Sequence, residues 1–467
     1  MFRPISILPL LAFLTLPPAA AQDAGGGWHG LPDGPAASSR HEDVMFINEN
    51  TGWIVNGYGG RGRVYRTDDG GETWDRTFEL AGSFFRSVTF ADADRGWIGG
   101  LFNDGNVLFE THDGGHSWSN ITNRLKSPPD GICAIQAIGD QTVYGVGAFS
   151  GGPWFVSTRN GGASWSNSLP GTEARTLVDL FFKNEEEGFA VGGTANIGAQ
   201  LRGDAVVLRT TDGGASWTTV HRTNRGDGVA GEWAWKISFP SELVGYVSIE
   251  YTGNVEQQAA KYLKTVDGGI SWSEHFIPES TEPAGLQGIG FVTENVGWAS
   301  GRGTTTMTTD GGATWSRISD FFHPDDQPDG GLDGRTNRIF VLGEHLAFAV
   351  GRYVYRFDDA DGTYTPPVPS DVAPRTFAIE QNYPNPFGAS TTIRYEVFAA
   401  VPVRIAVFDV LGRRVRSLVD AFQAPGAYRI DWDGTDTRGR RVAPGAYLYL
   451  MDIGDGIEMK RAVVLPE

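Results

Sequence analysis

Short apolar runs alternate with polar, glycine-rich turns along most of this chain, and the alternation repeats. Seven times a polar turn leads into Gly-aromatic, or a variant of it, and then a brief apolar run: around Trp53, Trp97, Tyr144, Phe189, Tyr246, Trp298 and Phe348. Where these runs have preceding partners, as in Ser87-Val88-Thr89-Phe90, Ile237-Ser238-Phe239 and Ile289-Gly290-Phe291, residue character changes at every second position. That period belongs to strands with two different faces.

A second phrase follows six of the seven. It is an octapeptide, Ser/Thr-x-Asp-x-Gly-x-Ser/Thr-Trp, ending at Trp74, Trp118, Trp165, Trp217, Trp272 and Trp315. The tryptophans are 44, 47, 52, 55 and 43 residues apart, the length of a four-stranded propeller blade. Each copy predicts a hairpin. Its glycines supply positive φ, its acid (Asp69, Asp113, Asn160, Asp212, Asp267, Asp310) accepts backbone N–H groups within the turn, and its Trp packs into the seam beside the next strand. These acids are therefore read as structural, each isolated in its own blade. A worn hairpin at 358–364 completes the seventh copy. The expected architecture is all-β, a seven-bladed β-propeller over residues 43–366, with 22–42 as a segment preceding it.

Composition adds the compartment. Residues 1–21 have the form of a secretory leader: Arg3, an apolar run from Ile5 to Leu16, and Ala19-Ala20-Ala21 as the cleavage site. No later run is long and apolar enough for a membrane helix. Cys133 has no partner and lies in an apolar phrase, as a buried inner-strand residue would. Arg3 supplies one positive charge and residues 371–467 are balanced, twelve basic against twelve acidic, so the net −18 places −19 on residues 22–370. Such a body repels nucleic acid and anionic membrane. No metal-ligand cluster, nucleophile elbow or phosphate loop occurs, so neither metal nor cofactor is expected.

Prolines at 366, 367 and 369 open a linker over 367–376. Beyond it, apolar runs at 391–397, 403–410, 413–418, 427–432, 446–451 and 458–465 predict a small Ig-like β-sandwich over 377–467. Asn382-Tyr383-Pro384-Asn385-Pro386-Phe387, Val407-Phe408-Asp409-Val410-Leu411-Gly412-Arg413, Trp432-Asp433-Gly434-Thr435-Asp436 and Pro444-Gly445-Ala446-Tyr447 resemble the C-terminal sorting domain of type IX secretion cargo. That resemblance implies the secretion machinery as a partner and a secreted or outer-surface location. An Ig-like accessory domain of the kind found in flagellar hook-capping proteins shares the Trp-Asp-Gly phrase and is the other reading. Asp433 and Asp436 are expected to cap a turn rather than hold a metal.

The octapeptide resembles the Asp-box, or bacterial neuraminidase repeat. With the Gly-aromatic strands, the first domain is similar to seven-bladed propellers of the photosystem II assembly-factor type. Such scaffolds serve enzymes and binding proteins alike, so chemistry does not follow from the likeness. The Arg-Ile-Pro type of phrase found in sialidases is absent from the chain after the leader, and xyloglucanases place their carboxylates between two propellers. The expectation is an exported, non-enzymatic binding propeller; the alternatives are a secreted glycoside hydrolase and a periplasmic assembly factor. Two carboxylates within about 10 Å facing the mouth would mark the hydrolase.

If Asp-box turns join the outer strands of each blade, the long insertions at 194–204, 222–235, 251–260 and 323–338 lie on the opposite face, where recognition is expected. Arg86, Arg175, Trp233, Trp235, Lys236, Arg335 and Arg338 enter the inner strands near that mouth. A ring of cations and aromatics there would take an acidic peptide or an anionic glycan; alternatively each Arg pairs with an acid such as Glu173, Glu232 or Asp333. Asp325, Asp326, Asp329 and Asp333 are expected to form a solvated acidic loop.

Overall fold

The computed structural model describes residues 27–31, 33–37, 40–101, 105–147, 152–195, 203–224, 231–252, 260–277, 285–301, 305–318 and 336–359 of a large unit. In a smaller unit it describes 377–379, 382, 384–397, 400–409, 413–424, 426–453 and 457–465. The chain divides between Pro367 and Val368. The leader, the linker at 367–376 and the tail of the worn hairpin lie outside the described residues.

The large unit consists of seven four-stranded antiparallel sheets. Their inner strands, in order of blades 1 to 7, are Asp43–Phe46, Phe84–Phe90, Ala134–Ile138, Thr176–Phe182, Gly231–Ser238, Leu286–Phe291 and Arg338–Leu342. Each inner strand packs on the next and the last packs on the first, which closes the ring. The Gly-aromatic phrases form the second strands, with Trp53, Trp97, Tyr144, Phe189, Tyr246, Trp298 and Phe348 all fully buried between blades.

The fourth strand of blade 7 corrects the expected boundary. It is Gly27–Gly30, which pairs with Val354–Asp358, so part of the segment expected to precede the propeller belongs to it. The physical reason is edge closure. Seven consecutive blades leave the last sheet one strand short, and a strand from the start of the chain covers the open edge and locks the ring. Between this strand and the first inner strand, the described residues are tied to blade 7 by Leu31 N–H to Val354 O (3.0 Å), Ala37 N–H to Arg352 O (2.9 Å) and His41 N–H to Gly351 O (2.6 Å).

Each Asp-box joins the third and fourth strands of its blade. In the first, Thr67 Oγ1 donates to Asp69 Oδ1 (2.7 Å), Thr73 Oγ1 to Oδ2 (2.6 Å) and Thr73 N–H to Oδ1 (2.9 Å). The same three bonds recur at Asp113, Asp212, Asp267 and Asp310. Asn160 keeps the turn by accepting on Oδ1 and donating Nδ2 to Ser164 (2.8 Å). Five of the Asp-box tryptophans are buried; Trp74 is half-buried.

The smaller unit holds a three-stranded and a four-stranded sheet around its own core, which includes Ile393, Ile405, Trp432, Tyr449 and Met451. Asp433 and Asp436 cap turns: Thr435 N–H donates to Asp433 (3.1 Å), and Arg438 and Arg440 N–H donate to Asp436 (2.9 and 3.0 Å).

Candidate functional site: a plugged channel

Inner strands run from the insertion face to the Asp-box face, because blade-to-blade connections stand at their starts and the turns to the second strands at their ends. Repeat register then assigns heights in the channel. Asp43, Asp179 and Arg338 pair with Val55, Val191 and Val350, each three residues after the small residue that precedes the aromatic of its second strand (Gly52, Gly188, Ala347). Lys236 reaches the same height, its N–H donating to Ser248 Oγ (3.0 Å).

At this height side chains meet across the lumen. Arg338 of blade 7 lies 3.1 Å from Asp43 of blade 1 and 3.1 Å from Asp179 of blade 4, on the far side of the ring. Lys236 Nζ is 3.7 Å from Asp179. Arg86 of blade 2 lies over the Trp235 ring of blade 5 (5.6 Å) and 3.3 Å from Glu42, which also pairs with Arg40 (3.0 Å). Trp233 and Trp235 stack 6.1 Å apart. The lumen is thus plugged by charge pairs joining opposite blades.

β-Bulges make these crossings possible. Inner strands 2, 4, 5 and 6 shift register at Arg86, Val178, Trp235-Lys236 and Gln287. A bulged residue leaves the ladder and its side chain is re-aimed. In blades 2 and 5 the re-aimed residues are the cations and the tryptophan of the plug.

Sequence reasoning had named Arg86, Trp233, Trp235, Lys236 and Arg338, and the structure brings them together. Arg175 is exposed just ahead of the fourth inner strand and has no side-chain contact with the cluster among the described residues. Arg335 and the acidic loop at 325–333 lie outside the described residues. The acids that pair with the cations are Glu42, Asp43 and Asp179. Of the expected partners, Glu173 instead accepts from Thr219 (2.8 Å) and Glu232 from Lys261 (2.8 Å); Asp333 is not described. Asp43 and Asp179 carried a faint signal, since each holds the same place in its repeat.

Both aspartates also staple blades. Asp43 accepts from Val44 and Val88 N–H (both 3.1 Å) and Asp179 from Ile237 N–H (3.1 Å), the latter two donors belonging to the following blades. Glycoside hydrolysis needs one carboxyl to donate a proton. Here Arg338 and the stapling N–H groups occupy the oxygens of this pair as acceptors. Burial pushes the Lys236 ammonium down to about 8, opposed by Asp179 and helped by Arg86 and Arg338. Among the described residues no group of three or more His, Cys, Asp or Glu side chains converges as a metal site.

Among the described residues, three buried donors of this cluster have no hydrogen-bond acceptor: Arg86 Nη2, Trp233 Nε1 and Trp235 Nε1.

Residues 35–169 match the family described as photosynthesis system II assembly factor YCF48, and residues 387–452 match the FlgD Ig-like domain. The large unit resembles the YCF48 propeller. A structure described as YCF48 bound to D1 peptide is 20% identical, with a TM-score of 0.51, over 71% of this chain and 96% of that one. YCF48 from Cyanidioschyzon merolae is 21% identical, with a TM-score of 0.50, over 71% and 98%. An ancestral GH74 enzyme is 14% identical, with a TM-score of 0.51, over 92% of this chain and 60% of that one. No curated protein matches. At these identities the solved structures share the fold.

Proposed function

We propose that this chain is an exported, non-enzymatic binding propeller. In this reading residues 1–21 direct the first export step, and the C-terminal sandwich carries the protein through type IX secretion machinery to the cell surface or medium. The insertion-face end of the channel takes an anionic group of a peptide or glycan. The observation that supports binding is the cluster of Arg86, Trp233 and Trp235 in the channel, where Arg86 Nη2 and both indole N–H groups have no acceptor among the described residues. An incoming carboxylate would satisfy them, and the adjacent rings offer stacking surface. YCF48 in its complex holds a D1 peptide, which makes an acidic peptide the first ligand to try.

The test uses the chain from Gln22 onward against acidic-peptide and glycan arrays, followed by calorimetry on the hits. Trp235→Phe keeps a six-membered ring and removes the N–H donor together with the pyrrole part of the indole. Affinity is expected to fall by about 1 kcal/mol with the protein still folded. Unchanged affinity, or loss of stability in place of affinity, contradicts the reading.

The second reading is a glycoside hydrolase that uses Asp43 and Asp179, the two carboxylates that Arg338 bridges across the lumen. Hydrolysis of any plant or host glycan that is lost in both Asp43→Asn and Asp179→Asn, with folding intact, would establish it in place of the first.

A further inference from the structure

Below the plug the channel opens into a chamber of about 470 Å³, within the range of small-ligand sites. Its ceiling is Asp43, Asp179, Lys236 and Arg338. Its other end reaches Pro240, Val292, Gly343 and Glu344, which follow the inner strands of blades 5, 6 and 7. Those residues belong to the turns between first and second strands. The chamber therefore opens on the Asp-box face, away from the long insertions, and the plug separates it from the mouth.

Its walls are apolar between these ends: Ile135, Leu180, Phe181, Phe239 and Phe340 are among the lining residues, and Phe181 stacks on Phe239 at 5.2 Å. The ceiling is asymmetric in what it has left to offer. The aspartates already accept from backbone N–H groups and Arg338. The Lys236 ammonium, on a residue 3% exposed, has no hydrogen-bond acceptor among the described residues, its nearest carboxylate oxygen standing at 3.7 Å. Arg338 Nε, by contrast, lies 3.1 Å from Asp43 Oδ1. A buried ammonium without an acceptor, at the closed end of an apolar chamber, fits a ligand with an apolar body and an acceptor head.

We propose that this chamber is a second binding site, for a small amphipathic carboxylate that enters from the Asp-box face, seats its ring or chain against Phe181 and Phe239, and presents its carboxylate to Lys236. The site is independent of the insertion-face mouth and of what binds there. Glu344 at the opening admits the apolar body while discouraging highly charged anions, so inorganic phosphate should not compete.

The test is calorimetry at pH 7 on the chain from Gln22 onward with two probes of equal length, 4-phenylbutyrate and 4-phenylbutan-1-ol. The carboxylate should bind about tenfold more tightly than the alcohol, or better. Lys236→Met should erase that difference while Lys236→Arg retains most of it. Ala137→Phe, which fills the chamber from the third inner strand, should abolish both affinities, and thermal melts show whether each variant is folded. Should Ala137→Phe not fold, Phe181→Ala replaces it and should weaken both probes together. Acidic-peptide binding at the mouth is measured separately from the two probes, so failure here and failure of the mouth reading are told apart. No binding of either probe at millimolar concentration, equal affinity for the two, or a preference that survives Lys236→Met overturns the proposal.

Discussion

Single residues show how much chemistry this scaffold hides from its sequence. His41 sits at the turn into the first inner strand, fully buried, with Nε2 2.5 Å from the Pro35 carbonyl and Nδ1 3.2 Å from Asn56 Nδ2. Burial pushes its pKa down from 6.5 to about 4, against the pull of the Pro35 carbonyl and Glu42. Between those values the unfolded chain binds a proton that the folded chain refuses, so stability falls as pH drops from about 6.5 to about 4, by about 3 kcal/mol in all. His41→Gln should lack this loss. Urea unfolding of both proteins at several pH values in that window checks it, and parallel curves would contradict it. The Asp-box carboxylates act in a lower window. Asp267, held down to about 2 first by the Ser271 hydroxyl, contributes stability that is present above the unfolded value near 4 and is lost as pH falls toward 2. The plug cations stand out in the sequence as basic residues in the segments that form inner strands. Their partners do not, because Arg338 and Asp179 meet across the ring at a separation of 159 residues, which no local pattern encodes.

At the scale of elements, the repeated phrases fixed blade count and hairpin geometry, yet the Asp-box also acts between blades. Arg66 Nη1 and Trp53 Nε1 of blade 1 both donate to the Gly114 carbonyl of blade 2 (2.9 Å each), and Arg356 of blade 7 reaches Gly70 of blade 1 in the same way (2.9 Å). Gly114 has φ +70°, and a Cβ there would collide with the Arg66 guanidinium, so this glycine is set by the neighbouring blade as much as by its own turn. The bulges that aim Arg86 and Lys236 left no mark in the alternation. One extra residue in a strand of seven or eight looks like ordinary noise in a period of two. The closing strand was missed for a related reason, since Gly27-Trp28-His29-Gly30 carries no repeat phrase. Its anchor is Trp28, which meets Trp298 edge-on at 5.2 Å and Phe357 at 5.6 Å. Trp28→Ala is expected to cost about 3 to 5 kcal/mol in chemical unfolding, with a broader transition as the ring loosens at its seam. A change under 1 kcal/mol would show that the ring holds without the closing strand.

Over the whole molecule, the propeller and the sandwich are separate folding problems joined by a proline-rich stretch. The eight clusters of the large unit draw only on residues up to 357, and the remaining cluster only on residues from 379 onward. Charge divides the same way, with the excess acid on the propeller. Two units with their own cores unfold independently unless a large apolar interface couples them. A chain of residues 22–367 should therefore melt cooperatively, within about 2 °C of the propeller transition in the longer protein. A shift much larger than that would mean the sandwich supports the propeller. Export separates the roles further. Expressed with its leader in a bacterium that has type IX secretion, the chain ending at Pro367 should accumulate folded in the periplasm, while the full chain reaches the surface or medium. Fusing residues 368–467 to an unrelated periplasmic protein should carry that protein out. If the truncated propeller is released normally and the fusion is retained, the sandwich is an accessory domain, and the hook-capping likeness rather than the sorting likeness describes it.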